Sequence, residues 1–248
     1  MGFKTGLVSV SFRQNTPKEI LDAMRGAGLK YVEWGSDVHA PKDDIKRIYE
    51  LAELQKQYKV RCCSYGTYFT VGVTPTEDLV DYIRAARILG TDIIRIWAGK
   101  GREYSSYSAK EKEEFIEICK KCAEIAEKEA VTLCLECHKG TFTDCKEGAL
   151  ELIKRVNSEH FKMYWQPNQN KAEAENMAYA ELLAPYTEHI HVFNWKEKEK
   201  KPLAEAMDIW KKYLEILGGE HYLLLEFMPD GRIESLPAEA DALRRIIE

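Results

Sequence analysis

The feature that most constrains the fold of this chain is a regular alternation between short apolar segments and longer amphipathic ones. Apolar residues in the longer segments recur every three or four positions, which is the period of a helix with one buried face. The short segments are rich in β-branched residues and have the length of buried strands. Eight of them occur, at 5–11, 30–35, 59–65, 92–97, 131–138, 161–166, 188–193 and 221–227. Alternation of this kind predicts a parallel α/β fold.

Helix-boundary residues support the same division of the chain. Thr16-Pro17 followed by Glu19 resembles a capping box with proline at the first helical position. Gly28 and Gly90 stand where two helices would end before the next strand. Eight strand–helix units in 248 residues match the usual size of a (β/α)8 TIM barrel. We therefore predict a single barrel domain over residues 1–248, with a doubly wound open sheet as the structural alternative.

Composition narrows the class of partners and the compartment. Charged residues make up 31% of the chain, the net charge is −5 and the pI is near 5.8, which argues against nucleic acid as a partner. The sequence contains no run of about 18 apolar residues that could span a membrane. Its first residues also lack the apolar core of a secretory signal. We expect a cytoplasmic protein, and its seven cysteines are then expected to be reduced.

Polar residues recur at the carboxyl ends of the last four strands. Side chains alternate between the two faces of a strand, so one face of each of these strands would point to the barrel axis. Polar residues on those faces are Glu136, His138, Gln166, His191 and Glu226. A buried carboxylate is costly unless it is paired or binds a cation. Barrel enzymes keep their chemistry at this end, so the pattern predicts an active site there.

Several motifs along the chain resemble the xylose isomerase-like TIM barrels, a superfamily of sugar phosphate isomerases and epimerases. They are YVEWGSDVHAP, LECHKGTFTD, YWQPN, HIHVFNW and LLLEFM. The resemblance implies one divalent metal, Mn, Mg, Zn or Fe, held by Glu136, Gln166, His191 and Glu226. It also implies that Glu136 and Glu226 move a proton next to the carbonyl of a sugar or polyol, through an enediolate. Homodimers are common among barrels of this kind, so a homodimer is one candidate assembly, although the sequence identifies no interface.

Gln166 departs from the family pattern, which has an aspartate at that position. A carboxamide oxygen can bind a metal but brings no charge, so either metal affinity falls or the metal becomes a stronger Lewis acid. Three functions stay open on this basis. The first is an isomerase or epimerase of a sugar, sugar acid or polyol. The second is a lyase or dehydratase that acts on a keto-sugar with the same site, and the third is a non-catalytic carbohydrate-binding barrel.

Further candidate substrate contacts surround the predicted metal ligands. Aromatic walls suit the apolar faces of sugar rings, although tryptophan also fills protein cores. An arginine can bind a substrate carboxylate or phosphate, although a structural ion pair is the common alternative. Asn194 follows strand seven, where the relatives often place an acid. The candidates are His138, His39, Trp97, Trp165, Arg13 and Asn194. We also expect Glu33 of strand two to pair with Arg95 of strand four.

Overall fold

Eight parallel strands close into a barrel in the computed structural model, which describes residues 2–196 and 199–248. Each strand pairs with its neighbours in the chain, and β8 pairs with β1, so that Gly6 lies opposite Leu224. This closure confirms the predicted TIM barrel and excludes the open sheet. The strands are β1 Lys4–Val8, β2 Tyr31–Gly35, β3 Arg61–Thr70, β4 Ile93–Trp97, β5 Thr132–Glu136, β6 Phe161–Trp165, β7 Thr187–Val192 and β8 Tyr222–Leu225.

Within the described residues, eight α-helices follow the strands and cover the outside of the barrel. Thr16 and Glu19 form the predicted capping box at the start of α1, and Pro17 is its first residue. Gly90 ends α3 in the left-handed region, at φ 87°. The helices are α1 Pro17–Gly26, α2 Ile45–Gln57, α3 Leu79–Leu89, α4 Ala109–Lys128, α5 Lys146–Val156, α6 Glu173–Leu183, α7 Met207–Leu217 and α8 Leu236–Ile247.

Two apolar cores hold this architecture together. The larger core lies between the barrel and the surrounding helices. The smaller one fills the barrel interior with inward-facing residues that include Cys63, Cys134, Tyr164 and Leu224. The interior is therefore packed rather than hollow, as is usual for this fold. Polar side chains at the carboxyl ends of the strands sit on top of that packed layer.

The structure also bears on the predictions about membrane spans and cysteines. None of the helices in the described residues combines the length and the apolar character that crossing a membrane requires. All seven cysteines are free thiols; six are buried and Cys145 is partly exposed.

Candidate metal centre and active site

Glu136 is the last residue of β5 and is held by two donors. Arg95 of β4 donates from Nη1 to Oε2 of Glu136 at 2.5 Å, and Trp97 donates its indole N–H to the same oxygen. Burial alone would raise the pKa of Glu136. The Arg95 guanidinium and His191 have a larger, opposite effect, so the pKa of Glu136 lies below its ordinary value. Arg95 also donates from Nε to Glu33 at 2.8 Å, which confirms the predicted Glu33–Arg95 pair.

His191 lies on β7 at the centre of the cluster and is fully buried. Its Nδ1 is 3.0 Å from Oε1 of Gln166, 3.4 Å from Oε2 of Glu226 and 3.8 Å from Oε1 of Glu136. Its Nε2 lies 3.5 Å from Oε1 of Glu33, which is an ion-pair distance rather than a hydrogen bond. Burial lowers the pKa of His191, but the Glu226 and Glu33 carboxylates raise it above its ordinary value.

Gln166 follows β6 and has a fixed orientation. Its Nε2 donates to the carbonyl oxygen of Cys137 at 3.0 Å, which turns Oε1 toward Nδ1 of His191. The amide therefore presents an oxygen, and not an N–H group, to the centre of the cluster.

Glu226 is a buried carboxylate that directly follows β8 and is poorly satisfied by hydrogen bonds. Its Oε2 has no hydrogen-bond partner among residues 2–196 and 199–248. Burial, with a further contribution from the Glu136 carboxylate, raises the pKa of Glu226 to about 7, although His191 opposes that rise. The next residue, Phe227, has φ 61° and donates its backbone N–H to Oγ of Ser11 at 3.1 Å. Positive φ is unusual for a bulky residue, so the chain accepts backbone strain at this turn.

The residues of this cluster fit a divalent cation. One ligand atom from each of Glu136, His191 and Glu226 lies within 4.8 Å of the others. Oε2 of Glu226 is a buried oxygen that accepts no hydrogen bond from the described residues, and a bound cation would compensate for that. Arg95 occupies Oε2 of Glu136 and leaves Oε1 on the His191 side. Nitrogen and oxygen donors of this kind suit Mn, Mg, Zn or Fe without selecting one.

Two of the predicted substrate contacts, His138 and Trp97, lie on the Glu136 side of the cluster. His138 is half-buried, and its ring stacks on the indole of Trp97, with centroids 4.7 Å apart and an angle of 21° between the planes. Arg13 reaches the same side through Tyr68, which packs against Trp97 at 5.5 Å. The Arg13 guanidinium is already engaged, because it also donates to Asp37 at 2.5 Å. The substrate roles of these residues stay predictions.

The family model described as a xylose isomerase-like TIM barrel matches residues 21–246. The chain belongs to this family. A search of curated proteins finds no match to its sequence.

Solved structures with the same fold include several xylose isomerase-like barrels. The probable 3-DHS dehydratase of Bacillus anthracis has a TM-score of 0.80 and 17% identity, over 97% of this chain and 98% of that one. D-Psicose 3-epimerase of Clostridium cellulolyticum H10 has a TM-score of 0.69 and 14% identity, over 99% of both chains. A xylose isomerase-like barrel protein of Mycobacterium smegmatis, in complex with magnesium, has a TM-score of 0.69 and 15% identity, over 93% and 87%. At these identities the likeness shows the fold alone.

Two other predicted substrate contacts lie away from the site. Trp165 is fully buried and packs against Tyr213 of α7 at 5.1 Å, on the outer face of the barrel. Its neighbour Gln166 faces inward, so the alternation of side chains sends Trp165 outward. His39 is also fully buried, and its ring nitrogens contact Oγ of Ser9 at 3.0 Å and the carbonyl oxygen of Asn15 at 3.2 Å. These positions correct the predictions that the two rings face a substrate.

Asn194 has a structural contact beside the site. Its Nδ2 donates to the carbonyl oxygen of Pro202 at 2.9 Å, and its own carbonyl oxygen accepts from the N–H of Lys201 at 2.8 Å. Asn194 therefore holds Lys201 and Pro202, which lie between β7 and α7, through hydrogen bonds. Its contact with a substrate stays a prediction.

A cavity of about 570 Å³ lies outside the cluster of candidate metal ligands. It opens between the segments that follow β6 and β7, and its walls include Asn168, Asn194, Trp195, Trp210 and Tyr213. Glu136, His191 and Glu226 do not line it. Among the described residues, the side chains that could hold a cation converge at Glu136, His191 and Glu226, which lie outside this cavity.

The sequence predicts Glu33 only as a partner of Arg95. The structure places it fully buried beneath the candidate metal ligands, with its carboxylate facing His191 across the barrel. Burial raises the pKa of Glu33, but Arg95 and His191 lower it well below its ordinary value, so the group is ionised. A carboxylate within the apolar run YVEWG is the same signal that drew attention to Glu226, and it could have identified Glu33 as part of the site.

Proposed function

We propose that this xylose isomerase-like barrel is a divalent-metal-dependent enzyme that acts on a sugar, sugar acid or polyol. Its reaction would begin with removal of a proton next to a carbonyl group. The observation that carries this proposal is the buried cluster of Glu136, His191 and Glu226, whose ligand atoms lie within 4.8 Å of one another. The magnesium complex of the Mycobacterium smegmatis barrel supports the metal requirement by analogy.

Glu136, His191, Glu226 and the Gln166 oxygen would hold the ion. A divalent cation bound there supplies a Lewis acid that polarises a carbonyl oxygen and stabilises the enediolate charge. The protein side chains would perform the proton transfer. Oε2 of Glu226 would bind the ion, which would leave Oε1 of the same carboxylate to accept the proton. Glu136 accepts hydrogen bonds from two donors, which favour its ionised form. The two carboxylates therefore differ in how readily they bind a proton, as the members of an acid–base pair do.

The rim of the site would position the substrate for this transfer. His138 stacked on Trp97 offers a flat surface with polar edges, which suits a polyol that presents both C–H and O–H groups. Trp97 also donates to Glu136, so a substrate lying on its indole would be close to that carboxylate.

Two reaction outcomes share this first step. Return of the proton to the opposite face of the carbon gives an epimer, whereas departure of a neighbouring hydroxyl group gives a dehydrated product. The structural neighbours include an epimerase and a probable dehydratase, which supports testing both outcomes. Product analysis distinguishes them.

The experiment that tests the proposal is deuterium exchange followed by proton NMR. Metal-depleted protein, with and without added Mn²⁺, is incubated in D2O with a panel of ketoses, keto acids and inososes. We expect Mn²⁺-dependent loss of the proton signal next to a carbonyl, and we expect Glu226→Gln to abolish it. Glu239→Gln is the matched control, because Glu239 is a buried carboxylate that accepts from the Leu203 N–H.

Two results would count against this function. Exchange that proceeds equally without metal, or equally in Glu226→Gln, would contradict the assigned chemistry. A sugar that raises the Tm without any exchange would instead favour the non-catalytic carbohydrate-binding barrel.

A further inference from the structure

We infer that Glu33 is a positioning residue, which fixes the ring of His191 from across the barrel and supplies negative charge that the neutral Gln166 does not. The inference rests on the proposed metal-dependent function, and it concerns a residue outside the ligand set. Glu33 is on β2 and His191 is on β7, and these strands are not neighbours in the barrel. Their contact therefore crosses the interior beneath the site.

Contacts with Arg95, His191 and Gly66 define the position of the Glu33 carboxylate. Arg95 donates to its Oε1 at 2.8 Å, and the same oxygen lies 3.5 Å from Nε2 of His191. Gly66 of β3 packs directly against it, because a Cβ atom there would lie 2.4 Å from that oxygen. Arg95 also donates to Glu136 at 2.5 Å. The Glu33 carboxylate therefore contacts one candidate metal ligand, His191, directly and a second, Glu136, through Arg95.

The arrangement of the His191 ring determines which nitrogen can bind a cation. Nδ1 faces Gln166, Glu226 and Glu136, whereas Nε2 makes no hydrogen bond among the described residues and faces Glu33. A nitrogen that binds a cation carries no proton, so the ring proton must then lie on Nε2. A carboxylate behind a metal-binding histidine fixes that tautomer and makes the ring a better ligand.

The charges of the site give Glu33 a second contribution. Gln166 is uncharged, and the single guanidinium of Arg95 is shared between Glu136 and Glu33. Without Glu33, Arg95 would offset the charge of Glu136 alone. Glu33 is fully buried, so water does not screen its charge from the ring. A charge added at position 166 should therefore compensate for a charge removed at position 33.

The experiment measures the Kd for Mn²⁺ by calorimetry on the metal-depleted full chain. The variants are Glu33→Gln, Gln166→Asp, the double variant and the control Glu239→Gln. We expect Glu33→Gln to weaken binding about 10- to 100-fold, which is the usual effect of losing such a partner. We expect Glu239→Gln to bind like the wild type, and Gln166→Asp to recover part of the affinity in the Glu33→Gln background.

Thermal unfolding with and without Mn²⁺ separates positioning from a merely structural role. A structural role would lower the Tm equally in both conditions, whereas positioning reduces the rise in Tm that Mn²⁺ produces. An equal decrease, or wild-type affinity in Glu33→Gln, would overturn the inference while leaving the proposed function intact. A wild-type protein that binds no Mn²⁺ would overturn both. If Glu33→Gln does not fold, Glu33→Asp replaces it, and unchanged affinity in that shorter side chain would overturn the inference.

Discussion

A methyl group added at Gly66 should damage the buried ion pair beneath the candidate metal centre. The Cβ of Gly66→Ala would lie 2.4 Å from Oε1 of Glu33 and 2.9 Å from Nη2 of Arg95. Ordinary contact between such atoms needs about 3.5 Å, so the carboxylate would have to retreat by about 1 Å. The 2.8 Å hydrogen bond from Arg95 to Glu33 would then be lost.

The size of this effect follows from where the pair lies. Glu33 is fully buried and Arg95 is 3% exposed, so neither group can exchange its partner for water. Removing one partner of a buried pair costs about 3–5 kcal/mol, and overpacking alone costs about 1–3 kcal/mol. Since the pair is displaced rather than deleted, we expect Gly66→Ala to lower the free energy of unfolding by about 3 kcal/mol.

Urea denaturation of the metal-depleted protein measures this change, provided that the transition is two-state and the m-value is unchanged. Gly26→Ala is the matched control, because it adds the same methyl group to the last residue of α1 with nothing within 4 Å. The control should be neutral or stabilise the protein by up to about 1 kcal/mol. The reasoning would be refuted if Gly66→Ala were as stable as the wild type, or if both substitutions shifted stability equally.

Three further predictions concern Trp97, which contacts Glu136, and Trp165 and His39, which lie away from the site. Trp97→Phe keeps the aromatic surface but removes the N–H donor to Glu136, so it should slow deuterium exchange by about tenfold or more. Unchanged exchange would show that this hydrogen bond does not support the reaction. Trp165→Phe should cost about 1–2 kcal/mol in urea denaturation without changing exchange, because the ring packs against the helices. Burial holds the pKa of His39 below its ordinary 6.5, so the unfolded chain binds more protons as the pH falls below that value. The stability that neutral His39 contributes is therefore present above about pH 6.5 and lost toward lower pH. His39→Gln should flatten the acid side of the Tm–pH profile, and an unchanged profile would contradict this.

The convergence of Glu136, His191 and Glu226 could be anticipated from the sequence. Strand periodicity gives the inward face, and parallel strands in a closed barrel bring their carboxyl ends together. The same alternation predicts that Trp165 points outward once Gln166 points inward. Position near a strand end was therefore a poor reason to expect Trp165 at the substrate, and the rule was sufficient to place it correctly.

Other contacts depend on the tertiary structure and carry no local sequence pattern. His39 is buried because Ser9 and Asn15, which lie 30 and 24 residues away in the chain, bind its two ring nitrogens. The approach of Glu33 to His191 depends on the width of the barrel interior and on the rotamers of both side chains. Periodicity places a residue on a face, but it does not determine which residue across the barrel it meets.

Anomalous scattering from a crystal grown with Mn²⁺ tests the metal centre most directly. We predict a single strong peak bonded to Glu136, His191 and Glu226, with the amide oxygen of Gln166 completing the protein ligands. A crystal that shows no peak between these side chains, or an ion held by other residues, would contradict it.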